Sequence, residues 1–170
     1  MKLAGVYIHD DDNAIFGGNI GINQENTMID KENLTTPSPC ECTNMRRASR
    51  VLTQFYDKLL KPSGLKVTQY SLLSHLKRLG PLTMNELSKA IRLERTTLVR
   101  NLKLLEKIGL VNTTAEESLQ AHLVHITENG LAMLEAAAPY WAQAQQTVKE
   151  RFTPEELCVF RKALQKIESL

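Results

Sequence analysis

A chain of 170 residues is long enough to bury one core of ordinary size, and its 42% apolar and 24% charged content is that of a soluble globular protein. No apolar run approaches the roughly 20 residues that span a bilayer. The opening MKLAGVYIHDDDNAIFGGNI, with one lysine and three aspartates, makes a poor signal peptide, so a cytoplasmic protein with no membrane partner is expected.

Residues 1–39 mix Asp, Asn, Gly and isolated apolar side chains without a sustained period and end in LTTPSP, the pattern of a flexible N-terminal extension. From Glu41 the pattern is helical: CECTNMRRASRVLTQFYDKLL sets Met45, Ala48, Leu52, Phe55, Tyr56 and Leu59 on one face and stops at KPSG. TQYSLLSHLKRLG predicts a second helix, with Thr68 as its N-cap and Gly80 just past its end. A third, TMNELSKAI, opens with a Thr83–Glu86 capping box. LERTTLVRNLKLLEKIGLV is the fourth and closes at Gly109.

The short runs LVNTT and AHLVHIT flank AEESLQ as a small hairpin. Thr127 then caps a long helix, ENGLAMLEAAAPYWAQAQQTVKERF, with a kink expected at Pro139. The last, TPEELCVFRKALQKIESL, starts at the Thr153 cap with Pro154 in the first helical position and Glu156 completing a capping box. Four helices, a hairpin and two helices predict a mainly α fold with a small β-hairpin wing: a winged helix-turn-helix flanked by helices left over for another task.

The net charge of +2 conceals an asymmetry. Residues 1–39 carry −4, residues 40–64 carry +3, residues 65–111 carry +6 and residues 112–170 carry −3. A central basic block of this kind attracts a polyanion even in a nearly neutral chain. The fourth helix lies inside that block. At about 100° per residue, Leu98, Leu102 and Leu105 share the core-facing stripe, and Thr96, Arg100, Lys103 and Lys107 point the opposite way. Thr97 and Asn101 occupy one shoulder, Arg95 and Val99 the other.

A recognition helix enters the major groove by its N-terminal turns. Arg reads guanine with two hydrogen bonds, Asn reads adenine, and the Thr methyl touches that of thymine. Arg95, Thr96, Thr97, Arg100 and Asn101 have that chemistry, while Lys103 and Lys107 suit phosphates. The competing reading is an ordinary solvated helix face. The capped helix before it and the hairpin after it favour double-stranded DNA.

Three stretches, MRRASRVLTQFYDKLLKPSGLKVTQYSLLSHL, LTMNELSKAIRLERTTLVRNLKLLEKIGLV and VHITENGLAMLEAA, occur in the usual order of the MarR family of bacterial transcriptional regulators, which the chain resembles from about Cys40 to Leu170. The resemblance implies a homodimer on a pseudo-palindromic operator. Residues 40–64 and 127–170 would supply the dimerisation helices and residues 65–126 the winged helix-turn-helix. It also implies regulation, most often by a repressor that a small aromatic ligand or an oxidant releases. Two departures stand out. The wing TTAEESLQAH carries Glu116 and Glu117, with no Lys or Arg from 108 to 148, and Arg92 occupies a link where glycine is common.

Cys40 and Cys42 sit at the start of the first helix, one turn before Arg46 and Arg47. A helix N-terminus and nearby cations favour the thiolate, which makes this pair the candidate redox sensor; the alternative is two unreactive thiols in a lead-in. Cys158 lies in an apolar run and is expected in the core. His122 and His125 face opposite ways if they share a strand, so a zinc site with the cysteines is not expected. Tyr56, Tyr70, Tyr140 and Trp141 are core residues or the lining of a ligand pocket. No phosphate loop, metalloprotease motif or nucleophile–base pair stands out, so neither enzyme activity nor a cofactor is expected. The competing function is a winged-helix module that binds protein instead of DNA.

Overall fold

The computed structural model describes residues 36–116 and 121–170, and among these it has six α-helices, a 3-10 turn at Lys61–Ser63 and three short strands. Helix α1 spans Glu41–Leu60, α2 Val67–Leu79, α3 Met84–Ile91 and α4 Arg95–Lys107. Strand β1 is Leu82–Thr83, β2 Val111–Glu116 and β3 Ala121–Ile126; α5 (Glu128–Lys149) and α6 (Pro154–Glu168) complete the order. The expected extension over residues 1–39 lies outside the described residues as far as position 35.

Helix α2 begins one residue before Thr68, and Lys66, not Thr68, is its N-cap. Acceptors for the first amides come from elsewhere. Gln69 Oε1 takes the Lys66 N–H at 2.8 Å, and Asp57 Oδ1, reaching over from α1, takes the Val67 N–H at 2.8 Å. The capping boxes at Thr83–Glu86 and Thr153–Glu156 form as expected, and Thr127 Oγ1 caps α5 by accepting from the Gly130 N–H.

The hairpin gains a partner that the sequence did not announce. Leu82 and Thr83 pair antiparallel with Val124 and Leu123, giving a three-stranded sheet in the order β1-β3-β2. Two residues carry no readable period, and their strand character comes from the pairing alone. The sheet closes the winged-helix core around buried Leu73, Leu76, Leu87, Leu98, Leu105 and Val124.

Two glycines set how α4 and α5 meet this sheet. Gly109 ends α4 at φ 73°, a conformation that suits a residue without a Cβ. At Gly130 a Cβ would lie 2.2 Å from the Leu110 carbonyl oxygen and 2.8 Å from Ile126 Cγ1, so only glycine lets α5 start this close to the strands. Helix α5 then runs unbroken through Pro139. It packs on α1 and α2, where Tyr70 stacks on Trp141 at 5.6 Å and Tyr56 donates a hydrogen bond to Gln145 Oε1.

The terminal helices are less well covered. No residue of α6 is buried within the chain. Val51 on α1 is 65% exposed, Val159 on α6 is 67% exposed, and Ala48, Leu52 and Ile167 are exposed as well. Cys158 is exposed too, not in the core as the sequence suggested. Within the chain the apolar stripe of α6 is covered only in part, at Leu157, Phe160 and Leu164.

Candidate nucleic-acid interface

Helix α4 is held by one face and open on the other. Leu98, Leu102 and Leu105 are buried, as the helical arithmetic requires. Arg95, Thr96, Thr97, Arg100, Lys103 and Lys107 are exposed, and Asn101 is half-buried on its shoulder. The exposed set therefore presents Thr96, Arg100, Lys103 and Lys107 on the face opposite the leucines of a 13-residue helix, with Thr97 and Arg95 on its two shoulders. No acidic residue lies in its first turn, and Glu94, the N-cap, makes no side-chain cap bond. The first amides of α4 thus keep the partial positive charge of a helix N-terminus, which favours a nearby anion.

Neighbouring elements fix how α4 is presented. Arg95 Nη1 donates to Asn85 Oδ1 at 3.1 Å, bracing the start of α4 against α3. Thr113 on β2 donates to Glu106 Oε1, so the carboxylate of α4 turns to the sheet and away from the cationic face. Leu104 on α4 and Ile108, its C-cap, are also exposed, 51% and 52%. Helical arithmetic does place Leu104 beside Arg100, so its exposure was legible. The wing strands reach Glu116 and resume at Ala121; Glu117 falls outside the described residues.

Cys40 and Cys42 are exposed at the start of α1. Hydrogen bonds from the Thr43 side chain, then its backbone, hold the Cys40 thiol below its ordinary pKa, against smaller opposing effects of desolvation and then of the Glu41 charge. The amides of the helix start contribute as expected, with the Thr43 side chain ahead of them, while Arg46 and Arg47 play no part. His125 Nε2 lies 2.7 Å from Thr114 Oγ1 within the sheet. Among the described residues no group of three or more His, Cys, Asp or Glu side chains is gathered as a metal would need. Tyr70, Ser74, Lys77, Arg78, Leu134 and Glu135 line an open cleft of about 410 Å³ between α2 and α5, where Lys77 pairs with Glu135 at 3.2 Å. Burial raises the Tyr70 pKa, partly offset by Ser74 and Lys77.

A basic helix seated between a capped helix and a three-stranded sheet defines the winged helix-turn-helix class. Residues 63–118 match the sequence profile of the MarR family. The crystal structure of the Mycobacterium tuberculosis transcriptional regulator MosR is 36% identical, with a TM-score of 0.68, over 78% of this chain and 98% of that one. MosR in complex with DNA is 37% identical, with a TM-score of 0.64, over 76% and 97%. An Escherichia coli MarR mutant bound to operator DNA shares the fold at 20% identity and a TM-score of 0.69, over 74% and 91%. An uncharacterised HTH-type transcriptional regulator of Bacillus subtilis, YwoH, is 30% identical over 84 residues; the match takes in 49% of this chain and spans 61% of that protein's length. The chain belongs to the MarR family. Among the described residues no helix is long and apolar enough to cross a membrane.

Proposed function

We propose that the protein is a sequence-specific regulator of transcription that binds double-stranded DNA as a homodimer. The observation that carries this reading is the exposed cationic face of α4, set opposite its buried leucine stripe in a winged-helix frame. Arg100, Thr96 and Thr97 read base edges, while Lys103 and Lys107 hold phosphates. Arg95, braced by Asn85, serves the backbone next to the helix start, and half-buried Asn101 reaches a base from the shoulder. The complex of MosR with DNA supports the DNA-binding reading.

The dimer follows from what the protomer leaves uncovered. Val51 and Leu52 on α1 and Val159 and Ile167 on α6 are apolar and exposed, and a second copy is the natural cover for them. In this reading residues 40–64 and 127–170 pair the protomers and residues 65–126 meet the DNA. The protein works in the cytoplasm, where its DNA is, and has no enzymatic role. It represses until a signal releases it. Cys40, whose thiolate Thr43 favours, is the candidate oxidant sensor with Cys42; the Tyr70–Lys77 cleft is the candidate seat for a small aromatic ligand.

Selection from a pool of random duplexes tests this directly. The purified full chain should enrich a pseudo-palindromic sequence and bind it as a dimer. Enrichment of nothing, with stable capture of a protein partner that ignores salt, would favour the protein-binding module instead.

A further inference from the structure

Arg92 occupies the turn between α3 and α4 with φ 51° and ψ 47°, and among the described residues it is the one non-glycine residue with positive φ. Glycine adopts this left-handed conformation freely, whereas a side chain there is held at a cost. The turn is tightly determined by its own bonds. Leu93 N–H donates to the Ser88 carbonyl at 3.1 Å, and the Ser88 hydroxyl donates to the Leu93 carbonyl at 2.7 Å. None of these needs an arginine. An unfavourable conformation kept at a defined turn invites the question of what its side chain does.

The guanidinium reaches the far end of the chain. Arg92 Nη1 donates to the carbonyl oxygen of Glu168, the last residue of α6, and Nη2 lies 3.9 Å from Glu168 Oε2. The last carbonyls of a helix lack intrahelical donors and carry its partial negative charge, so a cation suits them. No residue of α6 is fully buried within the chain; a Phe152–Phe160 stack at 5.6 Å lies at its start, and Arg92 holds its end. The two side chains of the ion pair are 63% and 58% exposed, so the pair adds little stability. Its effect is geometric, because Arg92 lies three positions before Arg95, the first residue of α4.

We propose that Arg92 is a positioning residue for DNA reading: by holding the end of α6, it fixes the pose of α4 relative to the helices that pair the two protomers. The inference rests on the DNA-binding reading above and adds to it a mechanical link between the dimer and the turn that aims the reading helix.

The test uses the full chain and a duplex that the wild-type protein has selected from a random pool, beside the same duplex with one base pair inserted at its centre. Arg92→Gly suits the left-handed backbone, so the fold and dimer survive. Glu168→Lys leaves Arg92 in place but sets a second cation against it. Both variants should bind the selected duplex more weakly, by roughly two- to thirtyfold. They should also lose part of the penalty for the inserted base pair, because a loosened α4 tolerates altered half-site spacing. The salt dependence of binding should not become shallower in either. Arg92→Gly with a shallower salt dependence and a full spacing penalty, beside a wild-type-like Glu168→Lys, would make Arg92 a simple phosphate contact and overturn the proposal. Wild-type behaviour of both variants would overturn it as well. A wild-type protein that selects no duplex would overturn the DNA-binding reading itself, and this inference with it.

Discussion

Thr127 joins the end of α4 to the start of α5: its hydroxyl donates to the Gly109 carbonyl oxygen at 2.7 Å, and its Oγ1 accepts from the Gly130 N–H at 3.0 Å. The Thr127 N–H adds a bond to the Leu110 carbonyl at 3.1 Å. One side chain thus satisfies an orphan carbonyl after α4 and an orphan amide of α5. Thr127→Ala should cost about 1–2 kcal/mol, from the lost cap and the unpaired carbonyl. Thr127→Ser should recover most of that. Thermal unfolding of the three proteins checks it, and equal midpoints for wild type and Thr127→Ala would contradict it.

The exposed valines of the terminal helices give the dimer its test. Val51 and Val159 are 65% and 67% exposed in the protomer, so a glutamate at either place harms no packing within one chain. Buried against a second copy, the same unpaired charge is costly. Val159→Glu should therefore shift the protein to monomer in light scattering while its helical circular dichroism stays intact. A dimer undisturbed by Val51→Glu and by Val159→Glu alike would place the protomer contact elsewhere.

The thiol chemistry has a definite sign. Thr43 holds the Cys40 pKa below its ordinary value, so at any given pH the reactive thiolate is a larger fraction than for an ordinary thiol. Thr43→Val removes the side-chain bond, which is the larger cause. The pH midpoint for alkylation of Cys40, followed by mass spectrometry of the labelled peptide, should then move upward. Oxidant should release DNA from the wild-type protein but not from the Cys40→Ser, Cys42→Ser double variant. Equal release from both would remove these thiols as the sensor.

Lys107 and Arg100 share one face of α4 but are assigned different tasks. A lysine on a phosphate contributes through counterion release, so its loss weakens all duplexes alike and makes the salt dependence shallower. In a symmetric dimer, Lys107→Ala should lower the slope of log K against log salt by about two. Binding assays at several salt concentrations, on the selected duplex and on an unrelated one, measure this. An unchanged slope would take Lys107 off the DNA.

What the sequence revealed, and what it hid, follows from how far apart the interacting groups lie. The Thr83–Glu86 and Thr153–Glu156 boxes are closed within one helical turn and were legible residue by residue. So was the division of α4 into a leucine stripe and a cationic face, since it needs only the helical period. Helix α2 starts one residue earlier than a Thr68 cap implies because Asp57, from α1, accepts from the Val67 N–H, a bond no local pattern shows. Strand β1 exists only through its pairing with β3, and two residues have no pattern to read. Cys158 was expected in the core because an apolar run does not say whether its cover belongs to the same chain. Arg92 was noticeable as an arginine where glycine is common, but its bond to Glu168 spans 76 positions and needed the fold.

The central claim is that the exposed face of α4 reads DNA sequence, and the affinity of Arg100→Ala for the wild-type-selected duplex and its single-base variants tests it most directly. The account predicts a loss of about 1–3 kcal/mol on the selected duplex, with discrimination relaxed at one base pair in each half-site. A variant that binds and discriminates as the wild type does, at every salt concentration, would contradict it.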